Sequence, residues 1–340
     1  MTTRTRWSAR RTVGTGLLVV LALVVLVVGF LALVPPAAGD LASHPNPAAD
    51  YAEATRRVAA LQAQESTGYN PLCTTQLLTH GQKTARVIAF IHGYTNCPHQ
   101  FLPLGQKFYD LGYNVLLVPM PYHGLSDLMT DALSKLTAED MAAYADELVD
   151  ISHGLGDRVT VAGLSQGGVV AGWAAQTRPD LDQAVLIAPG FGLKLIPTPL
   201  TVLAANVVLL MPDSYQWWDP LHDPKLPPPT LSPNGVQGYP RYSLHGLAQQ
   251  LRLGFATEAL ARRAAPAAKS IILVTNANDL AVENSVADRV AETWRAHGGN
   301  VTIYDFPATL NLYHDLISPE QSLQRIDIVY PKLIQLINGP

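Results

Sequence analysis

The run Val159-Thr160-Val161-Ala162-Gly163-Leu164-Ser165-Gln166-Gly167-Gly168 leaves this chain few ways to fold. Positions 158–164 alternate and are rich in β-branched residues, as a short buried strand would be. Positions 166–176 read as a helix of small residues that can lie close on a sheet. Between them stands Gly-x-Ser-x-Gly, the pattern of a nucleophile elbow. The segments entering and leaving so sharp a turn pass too close for a Cβ at Gly163 or Gly167. Ser165 must take a strained backbone conformation that lifts its hydroxyl off the sheet edge. The five-residue pattern alone could be a surface turn; the strand before it and the helix after it favour the elbow.

A serine hydroxyl is a poor nucleophile until a base takes its proton and a carboxylate orients that base. After a strand–turn–helix elbow the acid is expected next along the chain and the histidine last. Asp279 follows the strand expected at 271–275, in Asn276-Ala277-Asn278-Asp279, and His314 follows the strand expected at 301–306, in Tyr313-His314-Asp315. The bland alternatives are a turn aspartate and a surface histidine. Asp315 is a spare acid, but it adjoins the histidine and would struggle to face its ring. His92-Gly93 ends the strand expected beside the elbow strand, so the backbone N–H groups of Tyr94 and Gln166 are the expected oxyanion hole. His92 precedes the serine and reads as loop architecture, as does His123 in Tyr122-His123-Gly124. Neither histidine nor cysteine clusters at metal-ligand spacing.

Around these motifs the chain alternates strands and helices, which implies a mostly parallel sheet covered on both faces. Residues 74–79 and 84–91 read as two strands of a hairpin turning at Gly81-Gln82. Asn46-Pro47 is expected to open a helix with Tyr51, Ala54, Val58 and Leu61 on one face. Thr137 and Asp140 are a capping pair for the helix before the elbow strand, with Gly154 and Gly156 ending it. Ser318-Pro319 is expected to cap a C-terminal helix. From 189 to 266 the alternation stops. This insert carries Trp217, Trp218 and an apolar run from Leu200 to Met211, and should form a cap over the C-terminal ends of the strands. A solvated loop would not carry that apolar density, so the run is expected either to pack on the sheet or to line an acyl pocket, with Trp217 and Trp218 as substrate contacts.

The N-terminus adds something apolar to a globular composition. Arg4, Arg6, Arg10 and Arg11 (residues 1–13, a basic segment) precede an uncharged run at 14–34, which as a helix spans about 31 Å, the thickness of a bilayer core. A cleaved signal peptide usually has a shorter apolar region, so an uncleaved anchor is favoured over a signal peptide, with residues 35–47 as linker and 48–340 as the folded domain. The arginines should stay in the cytoplasm and place the domain outside. Setting them aside leaves 19 basic against 27 acidic residues, a charge of −8, and no basic stripe, which argues against nucleic acid as a partner. Cys73 and Cys97, the two cysteines, would then lie in an oxidising compartment and are expected to form a disulfide; two free thiols are the alternative.

Taken together, His92-Gly93-Tyr94-Thr95-Asn96-Cys97-Pro98, Pro121-Tyr122-His123-Gly124, Gly163-Leu164-Ser165-Gln166-Gly167-Gly168, and Asp279 and His314 in order resemble the α/β-hydrolase superfamily. The likeness is to its bacterial esterase and monoglyceride-lipase-like (serine aminopeptidase-like) branch, over roughly residue 51 to the C-terminus. The resemblance implies an α/β-hydrolase fold, an ester or related acyl bond as substrate, a Ser-His-Asp mechanism and no cofactor. Where the family has Gly-His-Gly this chain has Tyr122-His123-Gly124, a departure that bears on any role of the first glycine. The expectation is a membrane-anchored, outward-facing serine hydrolase of acyl esters. An acyltransferase of the same fold and a non-catalytic binding module are the rivals, and the fold alone does not choose a substrate.

Overall fold

The structure is a computed structural model that describes residues 4–36, 41–218, 237–320 and 324–339. The basic segment expected at 1–13, the linker expected at 35–47 and the insert expected at 189–266 each fall partly outside these residues. The strands of the main sheet are β1 (Gln76–Leu78), β2 (Thr84–Ile91), β3 (Asn114–Leu117), β4 (Gly156–Leu164), β5 (Gln183–Ile187), β8 (Ile271–Asn276) and β9 (Val301–Phe306). Between β5 and β8 come β6 (Tyr215–Trp217) and β7 (Arg241–Ser243), which among the described residues pair with each other and not with the main sheet. The helices are α1 (Arg4–Leu33), α2 (Tyr51–Gln64), α3 (Leu102–Asp110), α4 (Ala138–Leu155), α5 (Gln166–Thr177), α6 (Thr201–Leu210), α7 (Leu244–Ala261), α8 (Asn284–Ala296) and α9 (Ile326–Asn338).

The main sheet runs β1-β3-β2-β4-β5-β8-β9, parallel except for β1. Period-two alternation sorts its side chains into two cores. Val87, Ala89, Ile91, Val159, Val161, Ala184, Leu186, Ile271 and Leu273 share one core with α4, α5 and α8, on which α2 and α7 pack in turn. Ile88, Phe90, Ala162, Leu164, Val185, Ile187, Ile272 and Val274 face α3 and α9. Both faces are therefore buried, which is why these strands read as nearly unbroken apolar runs.

Several local expectations are corrected. The turn at Gly81 exists, but β1 and β2 form no hairpin: β3 lies between them, antiparallel to β1 and parallel to β2. Helix α2 opens at Asp50, whose carboxylate accepts from Glu53 N at 2.8 Å, and not at Asn46-Pro47. The capping box of Thr137 and Asp140 forms and Gly156 caps the C-terminus of α4 as expected, but the helix runs through Gly154 to Leu155, and Gly156 also begins β4. Among the described residues Ser318 caps no helix; its hydroxyl donates to Asp315, and α9 begins at Ile326.

The expected linker is docked from residue 41 onward. Arg178 is fully buried against Asp146, Asp150 and Asp180 at 3.1, 2.6 and 2.8 Å. Three carboxylates around one guanidinium leave acceptor capacity unused, and the segment after α1 fills it. Ser43 Oγ and His44 N donate to Asp146, Asn46 N donates to the Asp150 carboxylate, and Ala48 N donates to the Asp150 carbonyl.

Candidate active site

The sharp turn is where the sequence puts it. Ser165 has φ 57° and ψ −112°. A Cβ at Gly163 would lie 2.0 Å from the Gly167 carbonyl oxygen, and one at Gly167 would lie 2.2 Å from that of Ile91. The strain at Ser165 is held by its neighbours: its N–H donates to Ile187 O on β5, and its carbonyl accepts from Val169 N and Gly190 N. The serine thus stands at the C-terminal end of β4, at the start of α5.

Asp279 and His314 come from the loops after β8 and β9, at the same end of the sheet. His314 Nδ1 and Asp279 Oδ2 are 2.7 Å apart. A carboxylate only accepts, so the proton sits on Nδ1 and the Nε2 lone pair is left free. The other carboxylate oxygen of Asp279 accepts from Ala281 N and Val282 N. Burial works against the ionised Asp279, but the charge and hydrogen bond of His314, with these two amides, hold its pKa below the ordinary range. Burial likewise disfavours a charged His314, yet Asp279 outweighs it, helped by the Asp315 charge, and the imidazole pKa is raised. Among the described residues no hydrogen bond joins Ser165 to His314; such bonds commonly tighten only when substrate is bound.

Two side chains that the sequence reading did not single out hold these loops. Asn276, at the end of β8, donates to the carbonyls of Leu312 and Tyr313, just before His314. Gln100 accepts from Gly93 N through Oε1 and donates to Asp315 through Nε2, both at 2.8 Å. It links the loop of Tyr94 to the residue beside His314. Asp315 is taken up by other donors, since Ile317 N, Ser318 N and Ser318 Oγ also donate to it. A polar residue in a run such as Pro98-His99-Gln100-Phe101 carries no local sign that both its ends will be paired.

The loop after β2 lies against Ser165, since a Cβ on Gly93 would be 3.7 Å from Ser165 Cβ. The Tyr94 N–H has no acceptor among the described residues, and Gln166 is the first residue of α5, whose N–H has no intrahelical acceptor. His92 is fully buried. Met120 N donates to its Nε2 and its Nδ1 donates to Gly93 O, and burial beside His123 keeps it neutral. His123 Nδ1 donates to Pro121 O, and burial lowers its pKa to about 4. Both rings brace loops. Tyr122 has φ 66°, so the tyrosine adopts the conformation that a glycine takes freely.

The insert reaches this loop from above. Trp218 Nε1 donates to Thr95 Oγ1 at 2.8 Å, Tyr239 N donates to Thr95 O, and Tyr94 Oη donates to Ser243 O. Trp217 ends β6, paired with Arg241. The sulfurs of Cys73 and Cys97 lie at bonding distance, with Cα atoms 5.3 Å apart. Cys97 is the residue from which the 3₁₀ turn carrying Gln100 departs. The apolar run 200–211 meets neither expectation as a whole: in α6 only Thr201 and Ala205 are buried, and Leu200, Val207, Leu210 and Met211 are exposed.

A parallel sheet with a strained serine elbow at its C-terminal edge and an Asp–His pair on the two later loops defines an α/β-hydrolase. The chain belongs to the alpha/beta hydrolase family, whose pattern matches residues 88–315. A thermostable monoacylglycerol lipase of Bacillus sp. (strain H-257) is 26% identical over 114 residues, 34% of this chain and 44% of that protein's length. The chain thus spans less than half of that relative. Among solved structures, the monoacylglycerol lipase of Paleococcus ferrophilus superposes with a TM-score of 0.55 at 17% identity, over 77% of this chain and 97% of that one. A metagenome-derived lipolytic enzyme (reported with its companion as LipS and LipT) gives a TM-score of 0.54 at 16% identity, covering 79% of this chain and 99% of its own. At these identities the structural likeness is one of fold.

Proposed function

We propose that this protein is a membrane-anchored serine esterase, facing away from the cytoplasm, that cleaves acyl esters. The observation that carries the reading is the 2.7 Å contact between His314 Nδ1 and Asp279, which leaves Nε2 as the free base at the sheet edge that presents Ser165. Ser165 Oγ attacks the acyl carbonyl while His314 Nε2 takes its proton, then returns it to the departing alcohol. Asp279 keeps the imidazole in the required tautomer and stabilises the imidazolium. The N–H groups of Tyr94 and Gln166 receive the oxyanion. Water, deprotonated by the same imidazole, releases the acid. The names of the lipolytic relatives support an acyl ester of lipid-like character, with Trp218 beside the oxyanion loop as a substrate contact.

The anchor is α1, whose stretch Gly16–Leu33 is uncharged, long enough to cross a bilayer, and not buried against the domain. That composition also fits a signal sequence, and the four arginines before the apolar run set the orientation in either case.

A fluorophosphonate probe should label the wild-type chain and leave Ser165→Ala unlabelled. Turnover should then be followed on p-nitrophenyl esters from acetyl to dodecanoyl, with and without glycerol as acceptor. Labelling that survives the substitution would remove Ser165 from the mechanism. Transfer to glycerol in preference to water would make the enzyme an acyltransferase.

A further inference from the structure

The stretch 195–212 contains no charged residue, between Lys194 and Asp213. Helix α6 at its centre, Thr-Val-Leu-Ala-Ala-Asn-Val-Val-Leu-Leu, is apolar all round. Yet the fold buries little of it. Leu195 is 87% exposed and Leu210 71%, and Leu200, Val207 and Met211 are exposed beside them. Scattered exposed apolar side chains are ordinary, but a charge-free cluster of this kind marks a contact surface.

The occupant of that surface is indicated by what Asn206, the polar side chain in the second half of the helix, does. Asn206 Nδ2 donates to the carbonyls of Leu31 and Val34, each at 2.8 Å. These are carbonyls at the C-terminal end of α1, where a helix has no intrahelical donors left to offer. Residues 16–28 of α1 are exposed along their length, and only Gly29, Leu31 and Ala32 are partly covered. Helix α6 therefore meets α1 at its last turn, the outer boundary of the apolar span. The covalent connection agrees. With residues 41–48 docked on α4, only residues 35–40 separate the end of the span from the domain, and six residues reach about 20 Å at most.

From these observations we infer that α6 and its flanks form a second membrane contact, with Leu195, Leu200, Val207, Leu210 and Met211 seated in the outer leaflet beside the end of α1. This rests on the reading of α1 as the anchor and gives that reading a geometry. The docked segment is also tied to the site. Asp213, directly after it, accepts from Ser243 Oγ and His245 N, and Ser243 O accepts from Tyr94 Oη. The cap that meets the lipid is thus hydrogen-bonded to the oxyanion loop, and an ester lying in the leaflet would be delivered next to it.

The test uses the full chain in phosphatidylcholine vesicles, with one cysteine added at Leu210 or at Met211 and labelled with an environment-sensitive nitrobenzoxadiazole. Native Cys73 and Cys97 are fully buried at bonding distance and do not compete for the label. Gln82→Cys, on the exposed turn before β2 at the opposite end of the strands, is the control. The expected result is severalfold quenching at 210 and 211 by a nitroxide on the lipid acyl chain, with protection from aqueous iodide, and the reverse at 82. Labels at 210 and 211 that are quenched by iodide and not by the lipid nitroxide would overturn the inference. So would protection from both quenchers, which would mean a protein cover such as a second copy. A chain that does not float with the vesicles would overturn the anchor reading as well, whereas iodide quenching on floating vesicles overturns the second contact alone.

Discussion

At His314 two opposing influences meet, and their balance sets a measurable pH dependence. Burial favours the neutral ring, but the Asp279 carboxylate 2.7 Å away outweighs it and raises the pKa above the ordinary value near 6.5. The proposed base, His314, would work only when neutral, so kcat/KM should rise with pH along a limb centred above 6.5. Asp279→Asn removes the main raising influence. Its limb should move to lower pH while kcat falls by about 10⁴-fold; an unmoved limb would show that Asp279 is not the partner in solution. Gln100 acts one step further out, as a positioning residue. Gln100→Glu sets a second carboxylate against Asp315 and should lower kcat by about 10²-fold through misplacement of the Tyr94 loop, with KM little changed. Adding Asp315→Asn reverses donor and acceptor across the pair and should restore most of the loss. A purely structural role would not give that reciprocal rescue.

Among the elements, the segment from Cys73 to Cys97 contains β1 and β2 and returns to the base of the loop that carries Tyr94 and Gln100. With its ends separated by 24 positions, the bridge should stabilise the fold by about 3–4 kcal/mol in the chain-entropy model. Intact mass after alkylation without reductant should show no adduct, and denaturant unfolding should show that loss in Cys73→Ala/Cys97→Ala. Two adducts on the folded protein would rule the bridge out. The contact between α6 and α1 belongs to this scale too, because it turns the insert from a lid over the strands into an element with two jobs. Its far end holds Thr95 through Trp218, and its near end caps the N-terminal helix through Asn206.

For the molecule as a whole, the charge distribution and the short connection after α1 support the outward-facing topology proposed above. Arginines on one side of the apolar span and a domain of charge −8 on the other should leave the hydrolase domain open to an external protease, once any outer envelope is breached, while a cytoplasmic marker survives. A soluble mature form beginning near Gly39 would instead identify α1 as a cleaved signal. Because 41–48 are held by Asp146 and Asp150, the domain in the anchored form should not swing on a long tether. It stays within about 20 Å of the surface.

What the sequence determined by itself was the set of features with local physics. Gly163, Ser165 and Gly167 are dictated by a turn too tight for a Cβ. Thr137 and Asp140 pair across a single helical turn. The strands announce themselves as apolar runs because both sheet faces are covered, and the places of Asp279 and His314 after two late strands were legible from their order. What only the tertiary structure decided was everything that depends on partners distant in the chain. That β3 separates β1 from β2 follows from sheet order, which the turn at Gly81 does not encode. The docking of 41–48 depends on Asp146, Asp150 and Arg178 converging from α4 and the segment after α5, and no spacing between them betrays it. Gln100 looks like any polar residue until Gly93 and Asp315 are brought to its two ends. Helix α6 could not be oriented from its sequence because a helix apolar on every side has no preferred buried face. Its direction was settled by the fold, which left Leu210 and Met211 outward and brought Asn206 to the end of α1.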